Sequence, residues 1–175
     1  MENINLIETI KTENELFKML YGKVFHVTDY SNLKSIINDK ALLFNKDLKY
    51  KSLFGHQKNG FFRLRSCISF FDYRDCESEE FKEHSDKCEP LQLLCKINKI
   101  VIFFLDEKEY SKLILWDEWK SGKFYFQMVV PYIEVGIKEK VSLKSISNII
   151  IFENTPDNSN SNFIEESLRK RKDKL

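Results

Sequence analysis

The segment covering residues 24–37 constrains the fold most, because it joins an apolar strand to an amphipathic helix through a polar turn. Residues 24–27 predict a short strand that carries one polar side chain, His26, and leads into Thr28. Asp, Ser and Asn follow, and these residues are typical of turns and helix N-caps. Apolar residues then recur at the spacing of a core-facing helix over 31–39. The junction of a strand and a helix is a common place for chemistry, although a half-buried structural His26 is the alternative.

Predicted helices lie early in the chain and predicted strands dominate its second half. A helix is predicted over residues 4–20, and the region 107–119 is also compatible with helix. The chain has no regular alternation of strand and helix and no G-x-G-x-x-G after a strand, which argues against a doubly wound nucleotide-binding fold. The predicted class is α+β with two sheets. Strands are predicted over residues 24–27, 41–44, 65–71, 91–97, 100–105, 123–129, 132–137 and 148–152.

Length and net charge limit the number of domains and the kinds of partner that this chain can have. The 175 residues suit a single domain, predicted over 1–153, followed by a polar linker and basic C-terminal tail over 154–175. A net charge of +1 provides no overall basic field, so nucleic acid is disfavoured as a partner, while a local basic face stays open. No apolar run approaches the ~20 residues that cross a bilayer, and no signal peptide is visible. We therefore expect a cytoplasmic protein without a membrane partner.

The cysteines do not form a metal-binding pattern. Cys67, Cys76, Cys88 and Cys95 contain no C-x-x-C pair, and their spacing matches no zinc ribbon or finger. Free thiols and no bound metal are expected. A metal site built from His84 with the second and third cysteines is the weaker alternative.

Two further segments carry candidate functional groups. Glu134 lies within an apolar strand, so its carboxylate must face either solvent or a cleft. Ser69 and Phe70 lie on a strong strand that ends near Tyr73, and aromatic rings there could stack on a flat ring such as nicotinamide or a base. The alternatives are an outward-facing Glu134 on a one-sided sheet and plain core packing of the aromatic rings.

Three motifs occur in a recognisable order. An H-x-T strand stands at residues 26–28, an Asn-Leu-x-x-Ile helix at 32–36, and a Glu-bearing strand at 134–137. In this order they resemble the ADP-ribosyltransferase superfamily, over about residues 24–152. The branch that opens with H-x-T includes DNA-modifying toxins of the DarT type and RNA 2′-phosphotransferases. Abortive-infection proteins of the AbiG type are another group that the chain resembles.

The resemblance implies a fold and a chemistry. The fold would be a split sandwich of two small antiparallel-rich sheets with N-terminal helices, and NAD would bind in the cleft as a substrate. Glu134 and His26 would be the catalytic residues, Glu134 by stabilising the cation that forms as nicotinamide leaves. Residues in the position of a lid would be Tyr50, Phe54 and His56. The NAD contacts implied by the resemblance are His26, Thr28, Ser69 and Phe70, with Tyr73 as the alternative to Phe70 for packing on the nicotinamide.

The resemblance also implies a biological role. ADP-ribose would pass to a macromolecular acceptor, protein or nucleic acid, in a toxin or an anti-phage effector that could have a cognate partner protein. Pro131 stands where the DNA-modifying relatives carry an Arg. The incomplete match keeps open a catalytically inactive binding or antitoxin module of the same fold. A weaker alternative is an RNA-binding protein that uses its aromatic residues and the Lys-rich segment 46–58.

Overall fold

The computed structural model describes residues 7–10, 13–50, 53, 57–85 and 98–153. Within these residues the chain forms eight strands and four α-helices, which agrees with the predicted α+β class. The strands are β1 (Ile7–Ile10), β2 (Val24–Asp29), β3 (Ala41–Leu43), β4 (Cys67–Asp72), β5 (Lys99–Leu105), β6 (Glu134–Lys138), β7 (Lys140–Ser142) and β8 (Ile146–Glu153). The helices are α1 (Glu13–Leu20), α2 (Leu33–Asp39), α3 (Glu79–Ser85) and α4 (Trp116–Trp119).

One large sheet organises the domain. Six strands pair in the order β1-β8-β5-β2-β4-β6, and β3 pairs with β7 in a separate two-stranded sheet. The ladders are antiparallel except for the parallel pair of β1 and β8. The prediction of two small sheets is therefore corrected, because the described strands form one six-stranded sheet and one minor sheet.

The main sheet is covered on both faces. On β5, Ile100, Ile102 and Phe104 belong to one apolar cluster, which α1 and α3 help to cover. Val101 and Phe103 belong to a second cluster, against which α2, β3 and β7 pack. A strand that is buried on both faces needs apolar residues at successive positions rather than at alternate ones. This explains the uninterrupted apolar run that predicted β5.

The main sheet opens between β2 and β4. These strands share only two residue pairs, Val24 with Asp72 and Phe25 with Phe71. Beyond Phe25, the ladder of β2 continues with β5, while the ladder of β4 continues with β6. The two halves of the sheet therefore separate just before His26, and the space between them becomes available for a ligand.

The predicted helix over residues 4–20 is wrong in its first half. Ile7–Ile10 form β1, which pairs with residues 149–152 of β8, and of the residues described in this range Glu13–Leu20 are helical. The spacing of the apolar residues fits a helix, but pairing with the edge of a buried sheet overrides that local preference. The predicted strand over 91–97 lies outside the described residues.

The chain between α4 and β6 also departs from prediction. Residues 123–129 are not a strand, because the backbone N–H of Gln127 donates to the Phe124 carbonyl (3.0 Å) and turns the chain back. The predicted strand over 132–137 begins only at Glu134, after Tyr132 adopts a positive φ of 62°. A strand over 132–137 would place Ile133 and Val135 on one face, but Ile133 packs in the first apolar cluster and Val135 in the second.

Candidate functional site

A cavity of about 500 Å³ occupies the opening between the separated strands. Its volume lies within the range typical of small-molecule sites. Residues from β2, β4, α2 and the start of β6 form its walls. Tyr50, in the loop that follows β3, also lines it. Among the predicted site residues, those that line the cavity are His26, Thr28, Ser69, Phe70 and Glu134.

His26 is held at the point where the sheet opens. Its Nδ1 lies 2.8 Å from the Ser69 carbonyl oxygen. A carbonyl can only accept, so Nδ1 carries the proton and the neutral ring keeps Nε2 as an acceptor. Burial lowers the pKa of His26 below its ordinary value, and the bond to Ser69 opposes this only in part. The imidazole is therefore neutral at pH 7.

Thr28 and Asn32 form the next polar pair along β2. The amide nitrogen of Asn32 donates to Thr28 Oγ1 at 2.9 Å, and the Thr28 side chain is almost fully buried. The turn between them is fixed because Asp29 accepts hydrogen bonds from both the backbone and the hydroxyl of Ser31. The Thr28 hydroxyl accepts from Asn32, so its own proton stays available for an acceptor in the cavity.

Glu134 begins β6 on the opposite side of the opening. Its Oε2 accepts a hydrogen bond from the Val130 backbone N–H at 2.8 Å. Burial is the largest influence on this group and raises its pKa to about 7, although the Val130 N–H and the Ser69 hydroxyl both favour the anion. A carboxyl group that titrates near neutral pH in a cleft is a candidate for function.

Ser69 connects the two halves of the site. Its carbonyl accepts from His26, and its hydroxyl favours the ionised form of the neighbouring Glu134 carboxylate. β2, β4 and β6 are consecutive in the sheet, so Ser69 lies between His26 and Glu134 at the opening.

Of the two predicted aromatic contacts, Phe70 lies at the cavity and Tyr73 lies in the core. Phe70 lines the cavity but is only 1% exposed, with its ring 5.7 Å from the His26 ring in an edge-on arrangement. Tyr73 is buried in the first apolar cluster, where it packs edge-on against Phe25 and Phe81. We therefore do not retain Tyr73 as a ligand contact, because its ring is used in the core.

Two cations at the cavity were not predicted as site residues. Arg63 and Lys123 both line it, and the Arg63 guanidinium bonds the Lys58 carbonyl at 2.6 Å. Arg63 and Lys123 are sixty positions apart and belong to no common motif, so the sequence could not predict that they line one cavity. Of the predicted lid residues, Tyr50 lines the cavity and is fixed by two hydrogen bonds with Asn45, whereas Phe54 and His56 lie outside the described residues.

The described residues contain no group of three or more His, Cys, Asp or Glu side chains placed to hold a metal ion. Cys67 and Cys76 are free thiols, and Cys88 and Cys95 lie outside the described part of the chain. His84, the third member of the alternative metal site, bonds the Glu80 carbonyl and packs against Tyr132. None of the helices in the described ranges combines the length and the apolar character that a bilayer crossing requires.

The chain was compared with known proteins. No protein-family model, no curated protein and no solved structure matches it.

Proposed function

We propose that the chain is an NAD-dependent ADP-ribosyltransferase and that NAD binds as a substrate in the cavity between β2 and β4. One observation carries the proposal. His26, Ser69 and Glu134, from three consecutive strands, line one cavity of suitable size, where His26 bonds the Ser69 carbonyl and the Ser69 hydroxyl favours the Glu134 carboxylate. The resemblance of the H-x-T, Asn-Leu-x-x-Ile and Glu segments supports the same chemistry.

The chemistry requires stabilisation of positive charge. When the bond between the ribose C1′ and the nicotinamide nitrogen breaks, its electron pair leaves with neutral nicotinamide and the ribose becomes a cation. In the proposal, the Glu134 carboxylate accepts a hydrogen bond from the ribose 2′-OH and stabilises this cation. A nucleophile on a macromolecular acceptor then bonds to C1′ and loses its proton.

His26 and Thr28 are proposed to orient the ribose and carboxamide groups. The neutral imidazole presents Nε2 as an acceptor, and Thr28 presents its hydroxyl proton as a donor. Together they can recognise a hydroxyl group and a carbonyl oxygen, both of which nicotinamide riboside carries. Phe70 contributes an apolar wall behind the imidazole rather than an open stacking face.

Calorimetric titration with NAD tests the binding part of the proposal. We expect wild-type protein to bind NAD and His26→Ala to bind it roughly tenfold more weakly, the loss of about one good hydrogen bond. His84→Ala is the matched control, because His84 lies on α3 among residues that do not line the cavity. Absence of NAD binding to the wild-type protein contradicts the proposal.

A binding module without turnover is the second candidate. The observation that favours it is the burial of Glu134, which raises the pKa of its carboxyl group to about 7 and keeps about half of it neutral at pH 7. A neutral carboxyl group cannot stabilise the ribose cation. NAD binding with no release of nicotinamide at pH 8, where the carboxylate predominates, would favour this candidate over the enzyme.

A further inference from the structure

Residues 122–130 form one wall of the cavity. Lys123, Gln127, Met128 and Val130 line it, and Val130 also supplies the N–H that bonds Glu134. The three aromatic residues of this segment do not anchor it, because all three are exposed and the Tyr125 side chain is 96% exposed. Other contacts must therefore hold the segment against the domain.

Arg65 supplies those contacts from behind the wall. Its Nη1 donates to the Gln127 Oε1 at 2.9 Å and to the Phe61 carbonyl at 3.0 Å, and its Nη2 donates to the Gly122 carbonyl. The guanidinium also lies 3.7 Å above the Phe61 ring centroid. Arg65 thus joins the start of the segment, Gly122, and a position within it, Gln127, to the chain that precedes β4.

Gln127 transmits this restraint to the segment. Among the residues that the structure describes, Gln127 is one of two polar residues that are buried, with 7% of its surface exposed. Its Oε1 also accepts a hydrogen bond from the Phe124 N–H at 3.4 Å. The Met128 backbone pairs with residues 59–61. Its N–H donates to the Asn59 carbonyl at 2.8 Å, and its carbonyl accepts from the Phe61 N–H at 2.9 Å. Val130 follows two residues later.

We propose that Arg65 is a positioning residue that acts through Gln127 to fix the cavity wall and the Val130 N–H that holds the Glu134 carboxylate. Arg65 itself is not one of the described residues that line the cavity. The planar fork of an Arg can reach three oxygens at once, whereas the single ammonium of a Lys cannot reproduce that geometry. Its catalytic consequence rests on the proposed function, but its structural consequence does not.

The experiment compares Arg65→Lys, Gln127→Leu and Gln127→Glu with wild type. The Val130 amide is followed by NMR hydrogen exchange, and kcat and KM for NAD are measured in parallel. In Arg65→Lys and Gln127→Leu we expect the Val130 amide to exchange roughly tenfold faster, the effect of losing one ordinary hydrogen bond. Gln127→Glu keeps an acceptor oxygen for Arg65 and for Phe124 N–H, and we expect it to preserve the wild-type exchange rate.

Kinetics separate positioning from general stability. In Arg65→Lys we expect kcat to fall roughly 10- to 100-fold, with KM for NAD within about threefold of wild type, because the carboxylate is displaced while most NAD contacts remain. Arg74→Lys is the matched control, because Arg74 also stacks on an aromatic ring, Tyr110, and pairs with Asp72 among residues that do not line the cavity. We expect it to retain the wild-type kcat.

Two outcomes overturn the inference. One is an unchanged Val130 exchange rate in both Arg65→Lys and Gln127→Leu. The other is the same fall in kcat in Arg65→Lys and Arg74→Lys, which would indicate a general loss of stability. If wild-type protein shows no NAD turnover, the proposed function fails, and the Val130 exchange rates alone decide the positioning role.

Discussion

Replacing Glu134 with Gln is expected to stabilise the protein at pH 8 and to have a much smaller effect on its stability at pH 5. The carboxyl group is buried at the start of β6, and this burial raises its pKa to about 7. Gln matches the neutral carboxylic acid in size and keeps an oxygen that can accept from the Val130 N–H. The substitution therefore removes the buried charge and little else.

The sign follows from proton linkage. Glu134 has a pKa of about 7 in the folded protein and an ordinary value of 4.5. Between these values the folded state holds a proton that the unfolded state has released, so the free energy of unfolding falls as pH rises. The interval corresponds to a loss of roughly 3 kcal/mol above pH 7, and all of the stabilisation is present below pH 4.5.

Urea denaturation at pH 5 and pH 8 measures the effect. At pH 8 we expect Glu134→Gln to unfold with a free energy roughly 2–3 kcal/mol above wild type, equivalent to about 4–12 °C in Tm for a domain of this size. At pH 5 the same linkage reduces the difference to under about 1 kcal/mol. Glu83→Gln, at an exposed position on α3, is the matched control and should leave the free energy of unfolding within about 0.5 kcal/mol of wild type.

A destabilised Glu134→Gln at pH 8 refutes this reasoning. That result would mean that the ionised carboxylate is needed to hold the Val130 and Ser69 groups, and the residue would then be structural. The same outcome would remove the reason to expect a carboxyl group that titrates near neutral pH.

Three further perturbations test other parts of the account. Gly136→Ala would place a Cβ 2.3 Å from the Phe62 ring, so we expect a loss of about 1–3 kcal/mol in the free energy of unfolding, measured in urea; a neutral effect contradicts the close packing at β6. Asn32→Ala removes the donor to Thr28, and we expect NAD affinity by calorimetry to fall roughly 2- to 12-fold; unchanged affinity would show that this pair does not orient the ligand. The proposed reaction needs the Glu134 anion, so kcat/KM for NAD should rise through a pKa of about 7 between pH 6 and pH 8; a flat profile over that range argues against the carboxylate.

The sequence predicted the elements whose signals are local. β2, α2 and β5 were predicted from apolar periodicity and turn residues, and the structure confirms all three. β1 was missed because its identity depends on a partner 142 residues away in β8, and no local pattern encodes that pairing. The turn over residues 123–129 was missed for the same reason, since Arg65 fixes it from a distant segment.

Candidate residues were predicted better than their environments. His26, Ser69 and Glu134 stand out as polar groups within apolar strands, and the fold brings them to one cavity. The sequence could not show that β2 and β4 separate after two residue pairs, which is what creates the cavity. It also could not distinguish Phe70, at the cavity, from Tyr73, in the core, because both are buried aromatic residues on the same part of the chain.

Release of nicotinamide from NAD tests the central claim most directly. The assay compares wild type with Glu134→Gln at pH 8, where the Glu134 carboxylate predominates because its pKa is about 7, and calorimetry measures NAD affinity for both proteins. The account predicts a rate at least ~100-fold lower in the variant, about 2.7 kcal/mol of transition-state stabilisation, with NAD affinity within about threefold of wild type. Equal rates of nicotinamide release in the two proteins would contradict it.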